Sequence, residues 1–280
     1  MRELSVSCLG LHGFHRLHYY EWGDPENSRV VICVHGLTRN GRDFDDIAHA
    51  LSSDYRVLCP DISGRGKSEW LTHKEDYVYP VYCADMAALV ARSGAGTVDW
   101  VGTSMGRLIG MLLAAQPNSP IRKLVMNDVG PFIPKSSLER LSTYVGKPAT
   151  YDSLEAFEQY IRAVSAPFGP LTDAQWRHLA ETTARRNDDG RWGTNYDPGI
   201  AVPFTGQIAD VDLWPFWDQV RSPTLLLRGK DSDLLLGDTA REMTARGPKA
   251  KLVEFAGIGH APMLMERSQI AVIRDFLVTT

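Results

Sequence analysis

Residues Val98 to Gly110 read Val-Asp-Trp-Val-Gly-Thr-Ser-Met-Gly-Arg-Leu-Ile-Gly. An apolar, β-branched run enters this stretch and a long apolar helical run leaves it. Between them lies Gly102-x-Ser104-x-Gly106. A strand that turns directly into a helix leaves no room for side chains flanking the turn, so glycines are needed there. The serine is then held out alone at the carboxyl end of the strand. A bare Gly-x-Ser-x-Gly is weak evidence. The strand before it and the helix after it give it weight, because that context turns the motif into a candidate nucleophile elbow.

The rest of the chain alternates in the same way. Val30–Val34 is a continuous apolar run, as expected of a strand covered on both faces. Phe44, Ile47, Ala48 and Leu51 then follow helical spacing. Arg56–Cys59 reads as the next strand, Tyr82–Ser93 as a helix, and Lys123–Val129 as a strand closed by Gly130-Pro131. Earlier, His15–Trp22 reads as a strand ending at the turn Gly23-Asp24-Pro25. After about Trp214 the pattern resumes: strand Pro223–Arg228, helix Thr239–Ala245, strand Lys251–Phe255 and a terminal helix. Strands alternating with helices imply a mostly parallel sheet with helices on both faces. Between Phe132 and Trp214 helical patterns replace β-branched runs, and aromatic residues such as Phe157, Tyr160, Trp176 and Tyr196 are frequent. The expected organisation is therefore a core of residues 1–131 and 215–280, interrupted by a helical cap over 132–214.

Composition excludes several classes. The 280 residues carry a net charge of −4, so no basic footprint points to nucleic acid. No apolar run approaches the roughly 18 residues of a membrane span. The first residues lack the apolar core of a signal peptide. The four cysteines do not form a disulfide framework, and reduced thiols in a cytoplasmic protein are expected. His12, His15 and His18 match no zinc spacing and read as exposed strand and loop residues. Gly66-Lys67-Ser68 ends like a phosphate-binding loop, but that motif needs glycine where Asp61 stands, so nucleotide binding is excluded.

Serine needs a neighbouring base to act as a nucleophile. His260 is the best placed, in a glycine-rich loop after a late strand. An acid must orient that imidazole, and the loop after Leu225–Arg228 offers Asp231 and Asp233. The order Ser, Asp, His is that of an α/β-hydrolase. On His35-Gly36, Asp61-x-x-Gly64-x-Gly66-x-Ser68, Gly102-x-Ser104-x-Gly106, Gly229-x-x-x-Asp233 and Gly259-His260-x-Pro262, the sequence resembles the α/β-hydrolase superfamily, in its capped branch of esterases and C–C hydrolases. These pieces span nearly the whole chain.

The resemblance implies an α/β-hydrolase fold, with Ser104 as nucleophile and His260 as general base. It also implies that the backbone N–H groups of Leu37 and Met105 form the oxyanion hole. Asp233 is the favoured acid, although many relatives place it one residue earlier, where Ser232 stands. Asp231 and Asp128 remain alternatives, Asp128 because some members draw their acid from the preceding strand. His35 is expected to bond within its loop. Arg39 and Asn40 either touch a polar substrate group or sit in a solvated loop.

Arg107 departs from the family pattern, which has glycine there. A cation in a helix's first turn opposes the macrodipole by about 0.3–1 kcal/mol. It either perturbs the elbow or points outward.

The function implied is a serine carboxylesterase working through an acyl-enzyme, on a small-molecule ester, without metal or organic cofactor. Two alternatives remain. C–C bond hydrolysis of a dienoate-type ketone would need a cation for the substrate carboxylate, such as Arg39, Arg185 or Arg186. The other is a ligand-binding receptor on the same scaffold. Cap helices can close over a site or pair with another subunit, so a homo-oligomer is one arrangement the sequence allows.

Overall fold

Alternation along the opening residues builds a long antiparallel hairpin in this computed structural model, which describes residues 1–147 and 149–279. Strand β1 (Arg2–Gly10) pairs with β2 (Gly13–Trp22). Sequence reading found β2 but not β1. As an edge strand β1 buries only Cys8 fully, so its apolar signal is faint.

Next come β3 (Val30–Val34), α1 (Asp45–Leu51), β4 (Arg56–Pro60), α2 (Tyr79–Ser93), β5 (Val98–Thr103), α3 (Met105–Ala114) and β6 (Ile121–Asn127). The insertion, the segment expected to form the cap, opens with β7 (Phe132–Ile133). It continues through α4 (Lys135–Ser142), α5 (Leu154–Val164), α6 (Asp173–Thr183), the hairpin β8 (Ala184–Arg186) and β9 (Trp192–Thr194), and a 3-10 stretch Pro198–Phe204. It closes with β10 (Val211–Asp212), which pairs antiparallel with β7. The core then resumes with α7 (Trp214–Trp217), β11 (Thr224–Gly229), α8 (Gly237–Ala245), β12 (Lys251–Phe255) and α9 (Arg267–Val278).

Eight strands form one sheet in the order β1-β2-β4-β3-β5-β6-β11-β12. The pairs β1–β2 and β2–β4 are antiparallel, and every other pair is parallel. Alternation within each strand feeds two cores. Val30, Ile32 and Val34 face the cluster with Met86, Leu89, Ile109 and Met243 from α2, α3 and α8. Val31 and Cys33 face Phe44, Ile47, Ile273 and Leu277 on the side of α1 and α9.

From β3 the chain runs to β4 on one side of it and then to β5 on the other. The carboxyl ends of β3 and β5 therefore flank the crevice where parallel α/β sheets bind ligands. The insertion has its own small core of Phe157, Ile161, Trp176 and Leu179, joined by Met263 and Met265 from beyond β12. It is less purely helical than expected, because the β8–β9 hairpin sits within it. All four cysteines are free thiols.

Candidate active site

Ser104 occupies the turn between β5 and α3 at φ 52 and ψ −115, a conformation unusual for a residue with a side chain. The flanking glycines explain how the turn closes. A Cβ on Gly106 would overlap the Val34 carbonyl, and one on Gly102 would collide with the backbone of Gly106 and Arg107. The backbone then bonds across the gap: Gly106 N–H donates to the His35 carbonyl at 3.1 Å.

His260, beyond β12, brings Nε2 to 3.0 Å from the Ser104 hydroxyl. Its Nδ1 lies 2.9 Å from Asp128 Oδ2. A carboxylate only accepts, so Nδ1–H donates to Asp128 and Nε2 is left to accept from the serine. Asp128 is wholly buried, and its Oδ1 accepts from Gly229 N–H at 2.9 Å.

The favoured acid, Asp233, is corrected here: it does not approach His260. Its carboxylate turns to the surface and pairs with Arg140 of α4, with Nε to Oδ2 at 3.1 Å. The reason lies in the loop. Ser232 is buried, and its hydroxyl accepts from Leu234 and Leu235 N–H, so the turn points its neighbour outward. Asp231 and Asp233 both border the cavity, but neither bonds the imidazole, whose Nδ1 partner is Asp128. Strand β6 was expected to run to Val129. It stops at Asn127, and Asp128 takes φ 61 just beyond it, which turns the carboxylate toward the loop of His260.

Leu37 lines the same cavity as Ser104, and Met105 follows Ser104 in the chain. Leu37 lies inside the turn closed by Arg39 N–H to Gly36 O, and Met105 is the first residue of α3, whose N–H has no partner within the helix. His35 keeps to its loop, as expected. Its Nε2 accepts from Ile62 N–H at 2.9 Å and its Nδ1–H donates to Gly36 O at 2.7 Å. Burial pushes its pKa down to about 4, so it stays neutral.

A cavity of about 330 Å³ opens above Ser104. Leu141, Tyr144, Tyr160, Ile161 and Phe168 of the insertion supply its upper wall. Arg39 borders it, but Asp43 holds both arms of the guanidinium at 2.8 and 2.6 Å. Asn40 caps the turn after it by accepting from Arg42 N–H, and donates to the Thr182 carbonyl. Arg185 stacks on Trp70, and Arg186 donates to the Gly190 carbonyl; neither borders the cavity.

Arg107 does not point outward. It is fully buried, with Nη2 at 3.8 Å from Met111 Sδ and no partner for Nε or Nη1 among the described residues. Burial pushes its guanidinium down to about 9, against the attraction of Asp128.

Two of the three early histidines also differ from expectation. His15 and His18 are buried against carboxylates; His12 is half-exposed, stacks on His73 and bonds Asp76.

The alpha/beta hydrolase fold family matches residues 29–266. The chain is 47% identical to a 3-hydroxybutyrate-oligomer hydrolase of Cupriavidus necator, over 97% of this chain and 96% of that one. A solved hydrolase from Rickettsia typhi superposes with a TM-score of 0.93 at 31% identity, covering 99% of each chain. An α/β-hydrolase from Novosphingobium aromaticivorans gives 0.87 at 37% identity, covering 98% of each. This chain belongs to the α/β-hydrolase family. Within that family it is a hydrolase of the carboxylesterase type. No helix among the described residues is long and apolar enough to cross a membrane.

Proposed function

We propose that this protein cleaves carboxylic esters through an acyl-enzyme, and that its substrates are short oligoesters of hydroxy acids. The observation that carries the reading is the hydrogen-bonded chain from Ser104 through His260 to Asp128 at the foot of a largely apolar cavity. The Ser104 oxygen attacks the ester carbonyl while His260 Nε2 takes its proton. The negative oxygen that results is held by Leu37 and Met105 N–H. Asp128 keeps the imidazole in the acceptor tautomer and stabilises it once charged. Collapse expels the alcohol, which receives the proton from His260. Water, deprotonated by the same imidazole, then frees the acid and restores Ser104.

The substrate class rests on the Cupriavidus relative. It also suits a cavity whose surface is mainly apolar, with the Tyr144, Tyr160 and Tyr196 rings and the charged Arg140, Asp231 and Asp233 as its polar points. A dienoate carboxylate would need a free cation, and of the two arginines that line the cavity Asp43 already pairs with Arg39 and Asp233 with Arg140.

The test is continuous release of 3-hydroxybutyrate from its linear trimer and of p-nitrophenol from the butyrate ester. Both should be sustained over many turnovers and lost in Ser104→Ala, with an acyl adduct on Ser104 seen by mass spectrometry under rapid quench. A single slow event per protein molecule would overturn the reading in favour of a receptor.

A further inference from the structure

Arg65 lies in the glycine-bounded loop after β4, a stretch to which the reaction above gives no task. Its side chain is wholly buried. Nε–H donates to the Leu37 carbonyl at 2.9 Å, and Nη2 lies 3.7 Å from Met105 Sδ. Nη1 donates to the Ser63 carbonyl at 2.7 Å and to the Tyr82 hydroxyl at 3.0 Å. The rings of Tyr77 and Tyr82 stand 5.6 and 5.2 Å from the guanidinium carbon.

Two points follow. The guanidinium touches both residues whose N–H groups are read as the oxyanion hole, one at its carbonyl and one at its side chain. Its partners are also all neutral: two carbonyls, a thioether, and a phenol whose pKa burial pushes up. A buried cation is ordinarily paired with an anion. Here no carboxylate among the described residues bonds the guanidinium, which instead touches the Leu37 carbonyl and the Met105 side chain, the two residues on either side of the proposed oxyanion position. The loop is held from the cap side as well, since Gly66 N–H donates to the Asn195 carbonyl at 3.0 Å and Arg65 bridges Tyr196.

We propose that Arg65 is the positioning residue of the oxyanion hole. It pins the Leu37 and Met105 segments and supplies the field that favours the tetrahedral oxyanion over the neutral ester. A charge fixed in a water-excluded site acts on the transition state without reorganising, so its effect falls on kcat rather than on substrate binding. This inference rests on the reading of Ser104, Leu37 and Met105 given above.

The experiment compares the wild-type protein with Arg65→Met, which keeps length and loses charge, and Arg65→Lys, which keeps charge and loses the fork. Three quantities are read: kcat and KM for p-nitrophenyl butyrate, the inhibition constant of an alkyl trifluoromethyl ketone, whose serine hemiketal carries the oxyanion, and the melting temperature. Arg65→Met should lower kcat by roughly tenfold or more, below the cost of deleting a direct donor, with KM little changed. Affinity for the ketone should fall by a matching factor. Arg65→Lys should recover part of both.

Unchanged kcat and ketone affinity in both variants would overturn the proposal, whatever happens to the melting temperature. So would a loss confined to KM. If Arg65→Met does not fold, Arg65→Lys alone decides, because it must lower kcat and ketone affinity together at a near-native melting temperature. A wild-type protein that neither turns over the ester nor labels at Ser104 with a fluorophosphonate would remove the underlying reading. A labelled, active wild type matched by its variants would remove only the role of Arg65.

Discussion

Two clusters of serine, histidine and aspartate in this molecule invite comparison: one is arranged as a relay and the other is not. In the first, Ser104 and Asp128 take opposite nitrogens of His260. In the second, Ser63 and Asp85 both take Nε2 of His15, at 3.2 and 2.9 Å, and the serine hydroxyl also donates directly to Asp85. The other nitrogen of His15 faces Gly10. A proton leaving Ser63 therefore has a carboxylate beside it and no imidazole between.

The surroundings differ as well. Ser104 stands in a strained turn under a 330 Å³ cavity, whereas Ser63 and Asp85 are fully buried and Ser63 borders no cavity of that kind. The second cluster ties β2, the loop after β4 and α2 together. On the proposed reading, residue types alone do not make a catalytic group; the side of the imidazole that each partner takes decides.

The largest expected effect tests the first cluster. Asp128→Asn should lower kcat/KM for p-nitrophenyl butyrate by roughly three to four orders of magnitude, because an amide in place of the carboxylate favours the wrong tautomer of His260. Asp233→Asn should stay within about fivefold of wild type, the ceiling set by an exposed ion pair worth up to about 1 kcal/mol. The reverse ranking would mean that His260 takes its acid from the β11 loop in solution.

A middle-sized effect is expected beside the same relay. The cluster around His15 has its charges paired at close range, but Arg107, which Asp128 attracts, leaves Nε and Nη1 unbonded in a fully buried position. Replacing a buried, poorly partnered charge with an apolar side chain of similar volume is often stabilising by about 1–4 kcal/mol. Arg107→Met should therefore raise the urea midpoint with an unchanged denaturant slope. A lowered midpoint would show that the attraction of Asp128 outweighs the burial cost.

Much of this was legible in the sequence because the relevant signals are local. The apolar runs of β3, β5 and β11 and the glycines around Ser104 carry their structural meaning within a few residues. The pairing of His260 with Ser104 was legible from its glycine-rich loop. The carboxylate beside His260 was not, because that choice depends on where a strand stops. A two-residue difference at the end of β6 releases Asp128 from the sheet into a left-handed turn, and nothing in Lys-Leu-Val-Met-Asn-Asp-Val marks that point. Burial of His15 and of Arg107 was likewise hidden. Each depends on neighbours distant in sequence: Asp85 on α2 for the histidine, and the packing of α3 against α2 and the sheet for the arginine. Arg65 was masked differently, since Gly-Arg-Gly-Lys-Ser read only as a tight loop and its partners come from elsewhere: Leu37 from the loop after β3 and Met105 from the start of α3.

The smallest expected effect probes the second cluster, through pH. The hydrogen bond to Asp85 raises the pKa of His15 above its ordinary 6.5, against the opposing cost of burial; Asp85, Glu69 and Asp76 add attraction. A folded-state pKa above the unfolded one means that the native protein binds this proton more tightly. The resulting stabilisation is complete below about pH 6.5 and is lost as pH climbs through the raised folded value. Cys8, whose thiol burial pushes up to about 12, keeps its proton across that window and does not confuse the measurement. Urea unfolding of wild type and His15→Asn at pH 6 and pH 9 should show a stability gap that is wider at pH 6. Ester turnover at pH 8 should be unchanged, because this histidine clamps the scaffold and serves no serine. A gap independent of pH would mean that His15 stays neutral beside Asp85, and a loss of turnover would mean that the clamp is coupled to the relay.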